Sequence, residues 1–379
     1  MKLVFLTNYI NHHQVYLADE FYSKLKGDYY FVATSDIPQE RKKLGYPDFS
    51  DRPYLVKAYE SIEKYNYAQD LIRDADVVII GSAPESMVTD RILSGKLTFR
   101  YNERWLKSRP WFLTGPRGWL NLYKNHIRYK NYPLYMLCAS AYTSKDVNQV
   151  GAYINKCFRW GYFTKVNTLD IESSKYAESK ASTIKFMWCA RFLNWKHPEL
   201  PVKLAARLKQ RKYEFVIDMY GTGEELEITK NLAKKLDVED VVNICGNRPN
   251  DEILKEMRKH DIFLFTSDRN EGWGAVLNEA MSNGCAVVGS DEIGSVPFLI
   301  EDGVNGLIFK SCNLDSLEEK VVYLIEHPEE RAEMVQNAYN TMRDLWSPEN
   351  AAKQFLQLVE ALKSNDESLI PSYGPGSKI

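Results

Sequence analysis

The chain has 379 residues, 44% hydrophobic and 26% charged, with 49 Lys plus Arg against 51 Asp plus Glu and a formal net charge of −2. That length is too great for one ordinary core and suits two domains, and the near-neutral balance argues against a globally basic nucleic-acid binder. The six cysteines are scattered with no C-x-x-C pair and several sit in apolar runs, which suits packed thiols in a reducing cytoplasm; no run of 18 apolar residues offers a membrane-spanning helix.

Leu3–Thr7 reads as a buried strand and is too short an apolar run for a signal peptide. A polar loop, Asn8 to Gln14, leads to a helical pattern over Val15–Leu25 and a second strand over Tyr30–Thr34. This βαβ opening implies a parallel sheet, whose ligands bind outside the carboxyl ends of the strands. The loop carrying His12 and His13 is therefore expected to face a cleft, where the histidines either touch a substrate or cap the helix. Further strands are expected over Asp76–Gly81, Leu97–Tyr101 and Tyr135–Cys138. Asn102, Glu103 and Arg104 follow Tyr101 at a carboxyl end. A carboxylate there could orient or deprotonate a hydroxyl, or Glu103 and Arg104 could be surface charges. Arg159–Phe163 closes a first domain over 1–165, and polar Lys165–Ser182 reads as a linker.

The second domain, 183–346, opens with the strand Ile184–Ala190 and continues with a helix over Pro198–Gln210. Strands follow at Phe215–Tyr220, Val241–Cys245 and Asp261–Phe265, with Leu254–Lys259 on a helix. Asn247 and Arg248 stand after Gly246 at a strand end. Late helices are expected over Ser316–Glu326 and Glu329–Met342. Ser347-Pro348-Glu349 is an N-cap and first turn for a helix to about Lys363. The tail, 364–379, is rich in Ser, Pro and Gly and is expected to be disordered.

The most informative stretch is Asp261 to Gly306. A short apolar strand, Ile262–Phe265, is followed by a polar loop, then Gly272-Trp273-Gly274, then a helical pattern carrying Val276, Leu277, Ala280 and Met281. Gly284 ends that helix, and Ala286-Val287-Val288 begins the next strand. Such a loop presents bare backbone N–H groups at a helix start, where phosphate binds well. Glu271 lies in the loop, and Glu279 lies inside the helix, about two turns further on at roughly 1.5 Å per residue.

The spacing Glu271-x7-Glu279 with small residues between resembles the signature of glycosyltransferase family four, which has the GT-B fold. Ala190-Arg191-Phe192-Leu193-Asn194-Trp195-Lys196 is similar to that family's Gly-Arg-Leu…Glu-Lys-Gly segment. Asp218-Met219-Tyr220-Gly221-Thr222-Gly223 resembles its strand with a glycine turn. Gly294-Ser295-Val296-Pro297 and Asp302–Gly306 also look like family segments, and the likeness is close over about Ile184 to Phe309.

The resemblance implies an α/β chain of two Rossmann-like domains facing across a cleft, with 1–165 on the acceptor side, 183–346 holding the donor, and the 347–363 helix crossing back to the first domain. It implies a retaining, metal-independent hexosyl transfer from a UDP or GDP sugar, with no cofactor. Glu271 would contact the donor sugar and Glu279 the ribose. Gly272, Trp273, Gly274, Ala275 and Val276 would hold the diphosphate with Arg191, Lys196 and the Gly221 turn, and Asn247 and Arg248 would lie near the base. Relatives often carry a glycine-rich first loop and a histidine after the Leu97–Tyr101 strand. This chain carries neither, so Glu103, Arg104, His12 and His13 are the acceptor-side candidates. Asp74-Ala75-Asp76 spells the D-x-D of metal-dependent transferases but reads as a helix end and strand start, and no other spacing suggests a metal. A sugar-nucleotide epimerase on the same fold and an inactive sugar-nucleotide-binding scaffold are the alternatives.

From Lys96 to Lys130 the chain carries nine Lys or Arg, one acid, and the aromatics Phe99, Tyr101, Trp105, Trp111, Phe112, Trp119, Tyr123 and Tyr129. Basic residues among Trp and Tyr suit an anionic membrane surface. The expectation is a cytoplasmic enzyme, peripheral on the inner leaflet, taking a glycan or lipid-linked acceptor. The competing expectation is that the rings fill the core.

Overall fold

Short runs rich in Val, Ile, Leu and Phe form the strands, and several of these runs are apolar throughout rather than alternating. Leu3–Thr7 (β1) and Val77–Ile80 (β4) are buried at every position, as strands covered on both faces must be. A computed structural model describes residues 1–39, 48–107, 115–168 and 183–379. It divides the chain into two units, Met1–Thr164 with Trp346–Ile379, and Lys165–Leu345.

In the first unit β1 and β4 are joined by Tyr29–Ala33 (β2), Leu55–Lys57 (β3), Thr98–Asn102 (β5), Leu134–Cys138 (β6) and Cys157–Arg159 (β7). They form a parallel sheet in the order β3-β2-β1-β4-β5-β6-β7. Strands β3 and β7, and the helix Ile62–Asp74, carry too short or too polar a pattern to stand out in the sequence. Buried Arg91 closes that helix. Its guanidinium donates to the carbonyls of Ile72, Ala75, Asp76 and Leu97 at 2.7–3.0 Å.

In the second unit Ile184–Cys189 (β8), Phe215–Tyr220 (β9), Val242–Gly246 (β10), Ile262–Phe265 (β11), Ala286–Ser290 (β12) and Leu307–Phe309 (β13) form a parallel sheet in the order β10-β9-β8-β11-β12-β13. Both sheets reverse their strand order next to the first strand, between β1 and β4 and between β8 and β11. Ligands of doubly wound sheets bind at that reversal, outside the carboxyl ends.

The tail is ordered, contrary to the disorder expected from its composition. Strand β7 is a sheet edge with unpaired backbone groups, and the tail satisfies them. The N–H of Arg159 donates to the Ser377 carbonyl, and the N–H of Gly376 donates to the Arg159 carbonyl, both at 2.8 Å. Phe158 and Lys378 form an antiparallel bridge. Pro371 and residues 374–377 are buried, and Gln354 and Gln357 of the Pro348–Ser364 helix donate to the Tyr373 and Leu369 carbonyls.

Candidate functional site

At the reversal of the second sheet, two loops meet. One follows β8 and carries Arg191 to Lys196. The other follows β11 and carries Thr266 to Gly274. Their join is a hydrogen-bonded chain through the core: Trp188 Nε1–H donates to Thr266 Oγ1 (2.9 Å), whose hydroxyl donates to the Lys196 carbonyl (2.7 Å). The Asp268 N–H donates to the Trp195 carbonyl at 3.0 Å. So anchored, Lys196 Nζ forms an ion pair with Glu271, and both residues are buried. Ser267 Oγ donates to the same carboxylate at 3.1 Å. The ammonium also lies 4.3 Å from the centre of the Trp195 ring. Arg191, from the same loop, is exposed.

The turn after Glu271 needs its glycine. Gly274 has φ +82°, and a Cβ there would lie 2.3 Å from the Phe265 ring. Gly272, Trp273 and Ala275 are buried, and the Trp273 indole donates to Asn278 Oδ1 at 2.8 Å. The helix spans Val276–Ser282, and Glu279 lies in its first turn. Glu279 is 9% exposed and accepts from Asn250 Nδ2 at 2.9 Å. Burial pushes its carboxyl up to about 7.

Gly221, φ +132°, ends β9 where the chain passes β8 so closely that a Cβ would lie 1.9 Å from the Ala190 carbonyl oxygen. Its N–H donates to the Gly246 carbonyl at 2.8 Å. That bond sets exposed Asn247 and Arg248 beside the turn. His197 takes φ +51° after Lys196. Its ring contacts Glu199 at 3.0 Å, Asp268 at 3.4 Å and Cys312 Sγ at 3.2 Å. The Glu199 bond raises its pKa, Asp268 adding to it.

In the first unit a polar cavity of about 380 Å³ opens at the β1/β4 reversal. Thr7 at the end of β1 and Asn8 after it, Gly81 and Ser82 after β4, and Asn102 and Glu103 at the end of β5 line it. Glu103 accepts from Lys107 Nζ and from the Tyr162 hydroxyl, both at 2.6 Å. The Glu103–Arg104 surface reading gives way here. Arg104 is buried, 3.6 Å from Asp146 and over the Tyr142 ring. The rings of His12 and His13 lie 3.7 Å apart, and His13 stacks on Tyr162 at 5.5 Å. Neither histidine caps the following helix, whose N-cap position is Gln14.

The basic, aromatic stretch separates into core and surface. Phe99 and Tyr129 are core. Arg100 is buried and paired with Glu85. Trp119 and Tyr123 are exposed. Trp111 and Phe112 lie outside the described residues. Asp74 and Asp76 stand at the amino-terminal edge of β4, and Asp76 accepts from the Lys2 N–H (2.8 Å) and from Lys363 (3.2 Å).

Residues 171–341 match the family described as Glycosyl transferases group 1, which falls within the second unit. That unit is similar to the group 1 glycosyltransferases. An uncharacterized glycosyltransferase of Methanocaldococcus jannaschii is 26% identical over 192 residues, 50% of this chain and 48% of that protein. The poly(glycerol-phosphate) alpha-glucosyltransferase of Bacillus subtilis is 26% identical over 195 residues, 51% of this chain and 27% of that enzyme. The chain therefore spans about half or less of the length of these curated relatives. Among solved structures, HepE of Anabaena in complex with UDP superimposes with a TM-score of 0.70 at 16% identity, covering 96% of this chain and 100% of that one. The likeness shows the fold, two parallel α/β units of the GT-B type.

Within the second unit the structure brings Lys196, Glu271 and the Gly272–Gly274 turn together at one sheet reversal. It also adds residues that the sequence did not reveal. Ser267 stands four residues before Glu271, a spacing that could have flagged it. Asn250, the partner of Glu279, comes from another helix with no local signal. His197 occupies a left-handed position that usually asks for glycine, a departure visible only once φ is known.

Proposed function

We propose that this chain is a retaining, metal-independent glycosyltransferase that moves a hexose from a nucleoside diphosphate sugar to a hydroxyl of a glycan or lipid-linked acceptor. The observation that carries the reading is the Lys196–Glu271 pair, held at the carboxyl ends of β8 and β11 beside a glycine turn and the buried Glu279. As the glycosidic bond to the diphosphate breaks, negative charge gathers on the leaving group. Fixed cations and backbone N–H groups stabilise that charge without reorganising. Lys196, Arg191 and the N–H groups of Gly272–Val276 supply them. Glu271 already orients Lys196 and takes the sugar hydroxyls, Glu279 takes the ribose, and Asn247 and Arg248 flank the base. That HepE was solved with UDP supports a nucleotide donor of this kind.

In this reading the first unit receives the acceptor. Glu103, held between Lys107 and Tyr162, orients the attacking hydroxyl, with His13 behind Tyr162. The test is a thermal-shift panel of UDP, GDP and their sugars, followed by assay of free nucleoside diphosphate with and without EDTA. Binding stabilises by mass action, so one nucleotide family is expected to raise Tm, and turnover is expected to survive EDTA. A strict Mg²⁺ or Mn²⁺ requirement would overturn the metal-independent mechanism. No shift with any nucleotide would overturn the donor reading.

A further inference from the structure

A second cavity, of about 300 Å³, lies beside the helix Pro116–Asn125 and is lined by Trp105, Gly118, Asn121, Leu122, Asn125 and His126. Among the described residues, no lining side chain carries a full charge. His126 bonds Tyr153 Oη through Nδ1 at 2.9 Å, and its ring lies 4.6 Å from that of Trp105. Burial, with Arg100 nearby, lowers its pKa to about 3, so the imidazole is neutral. This cavity and the polar one around Glu103 share a wall, Trp105. One is lined by Thr, Asn, Gln, Glu, Arg and Lys among its tyrosines, the other by an indole, a leucine and a glycine with a few amides. A small-molecule site that is mostly apolar, with few polar groups, takes the apolar part of a ligand.

We propose that the acceptor is an amphiphile whose hydroxylated head sits in the Glu103 cavity and whose alkyl chain passes Trp105 into the cavity beside the Pro116–Asn125 helix. The proposal rests on the transferase reading given above. Two further features of the same helix fit this occupant. Trp119, Leu120 and Tyr123 are 50–67% exposed on its other side. Arg117 and Lys124 are exposed beside them, and residues 115–132 contain no acid. An alkyl chain drawn from an anionic lipid surface would meet apolar side chains on both sides of this helix.

The test compares methyl and n-octyl β-glucoside, below the micelle concentration, binding to the full chain by calorimetry without nucleotide. The octyl compound is expected to bind at least tenfold more tightly. Gly118→Leu, which fills the cavity, is expected to bring octyl binding down to the methyl level while leaving the thermal shift with UDP or GDP unchanged. Asn121→Phe, at an exposed helical position, is a second filler should Gly118→Leu fold poorly. Equal binding of the two glucosides overturns the proposal, as does a chain-length preference that survives both fillers. In either case a retained nucleotide shift leaves the transferase reading standing, whereas loss of that shift alone tells against the transferase reading.

Discussion

Lys196 and Glu271, 75 residues apart in sequence, form one buried ion pair at the point where the second sheet reverses its strand order. A pair in this position is both structural and available to chemistry, and the two roles separate by mutation.

Removing one partner of a buried pair leaves the other charge uncompensated, at a cost of about 3–5 kcal/mol. Lys196→Met is therefore expected to lower Tm markedly as well as turnover. Arg191 is exposed, so Arg191→Ala is expected to leave Tm unchanged. Loss of a charge-assisted contact, about 1.5–3 kcal/mol, would still reduce its kcat/KM roughly tenfold to a hundredfold. Melting curves beside steady-state kinetics check both. Unchanged kinetics in Arg191→Ala would remove that residue from the diphosphate site.

Glu279 makes a statement about pH. Its carboxyl is raised from the ordinary 4.5 to about 7 by burial. A group raised in the folded state stabilises fully below its unfolded pKa, and that contribution is lost as pH rises through the folded value. The native state should therefore lose roughly 2–3 kcal/mol between pH 5 and pH 8 through this one group. Glu279→Gln keeps the shape and removes the titration, so its Tm should fall less over the same range. Parallel pH profiles in the two proteins would show that Glu279 is already ionised when folded.

The exposed helix Pro116–Asn125 is expected to bind anionic vesicles. Each Lys or Arg near an anionic surface contributes about 1 kcal/mol, and screening weakens it. Co-sedimentation with anionic vesicles at low salt should exceed that with neutral ones, and should fall at high salt and in Arg117→Glu with Lys124→Glu. No binding at low salt would point to an acceptor in solution.

Much of the second unit was legible because its signals are local. Glycines at Gly221 and Gly274 mark real close approaches, and the apolar run Ile262–Phe265 is a strand buried on both faces. Edge strands β3 and β7 were not legible, since three residues carry no periodicity. Nor was the tail. Its Ser, Pro and Gly suggest disorder, yet backbone groups hold it, and composition does not report backbone pairing. The same blindness hid the partners of Glu103. Tyr162 is 59 residues away, and only the parallel packing of β6 and β7 beside β5 returns the chain to it. No helix among the described residues is long and apolar enough to cross a membrane, which agrees with the reading of the hydropathy.

The pairing of Arg159 with Ser377, 218 residues apart, bears on synthesis. The first unit consists of Met1–Thr164 and Trp346–Ile379, so the ribosome makes most of it first and completes it last. At about 5–20 residues per second, the residues between Thr164 and Trp346 occupy the ribosome for on the order of ten seconds or more. For that interval β7 has no covering strand and the Pro348–Ser364 helix does not yet exist. The nascent first unit therefore waits with an open edge while the second, contiguous in sequence, is free to fold as it emerges. In this protein the half that begins first finishes second.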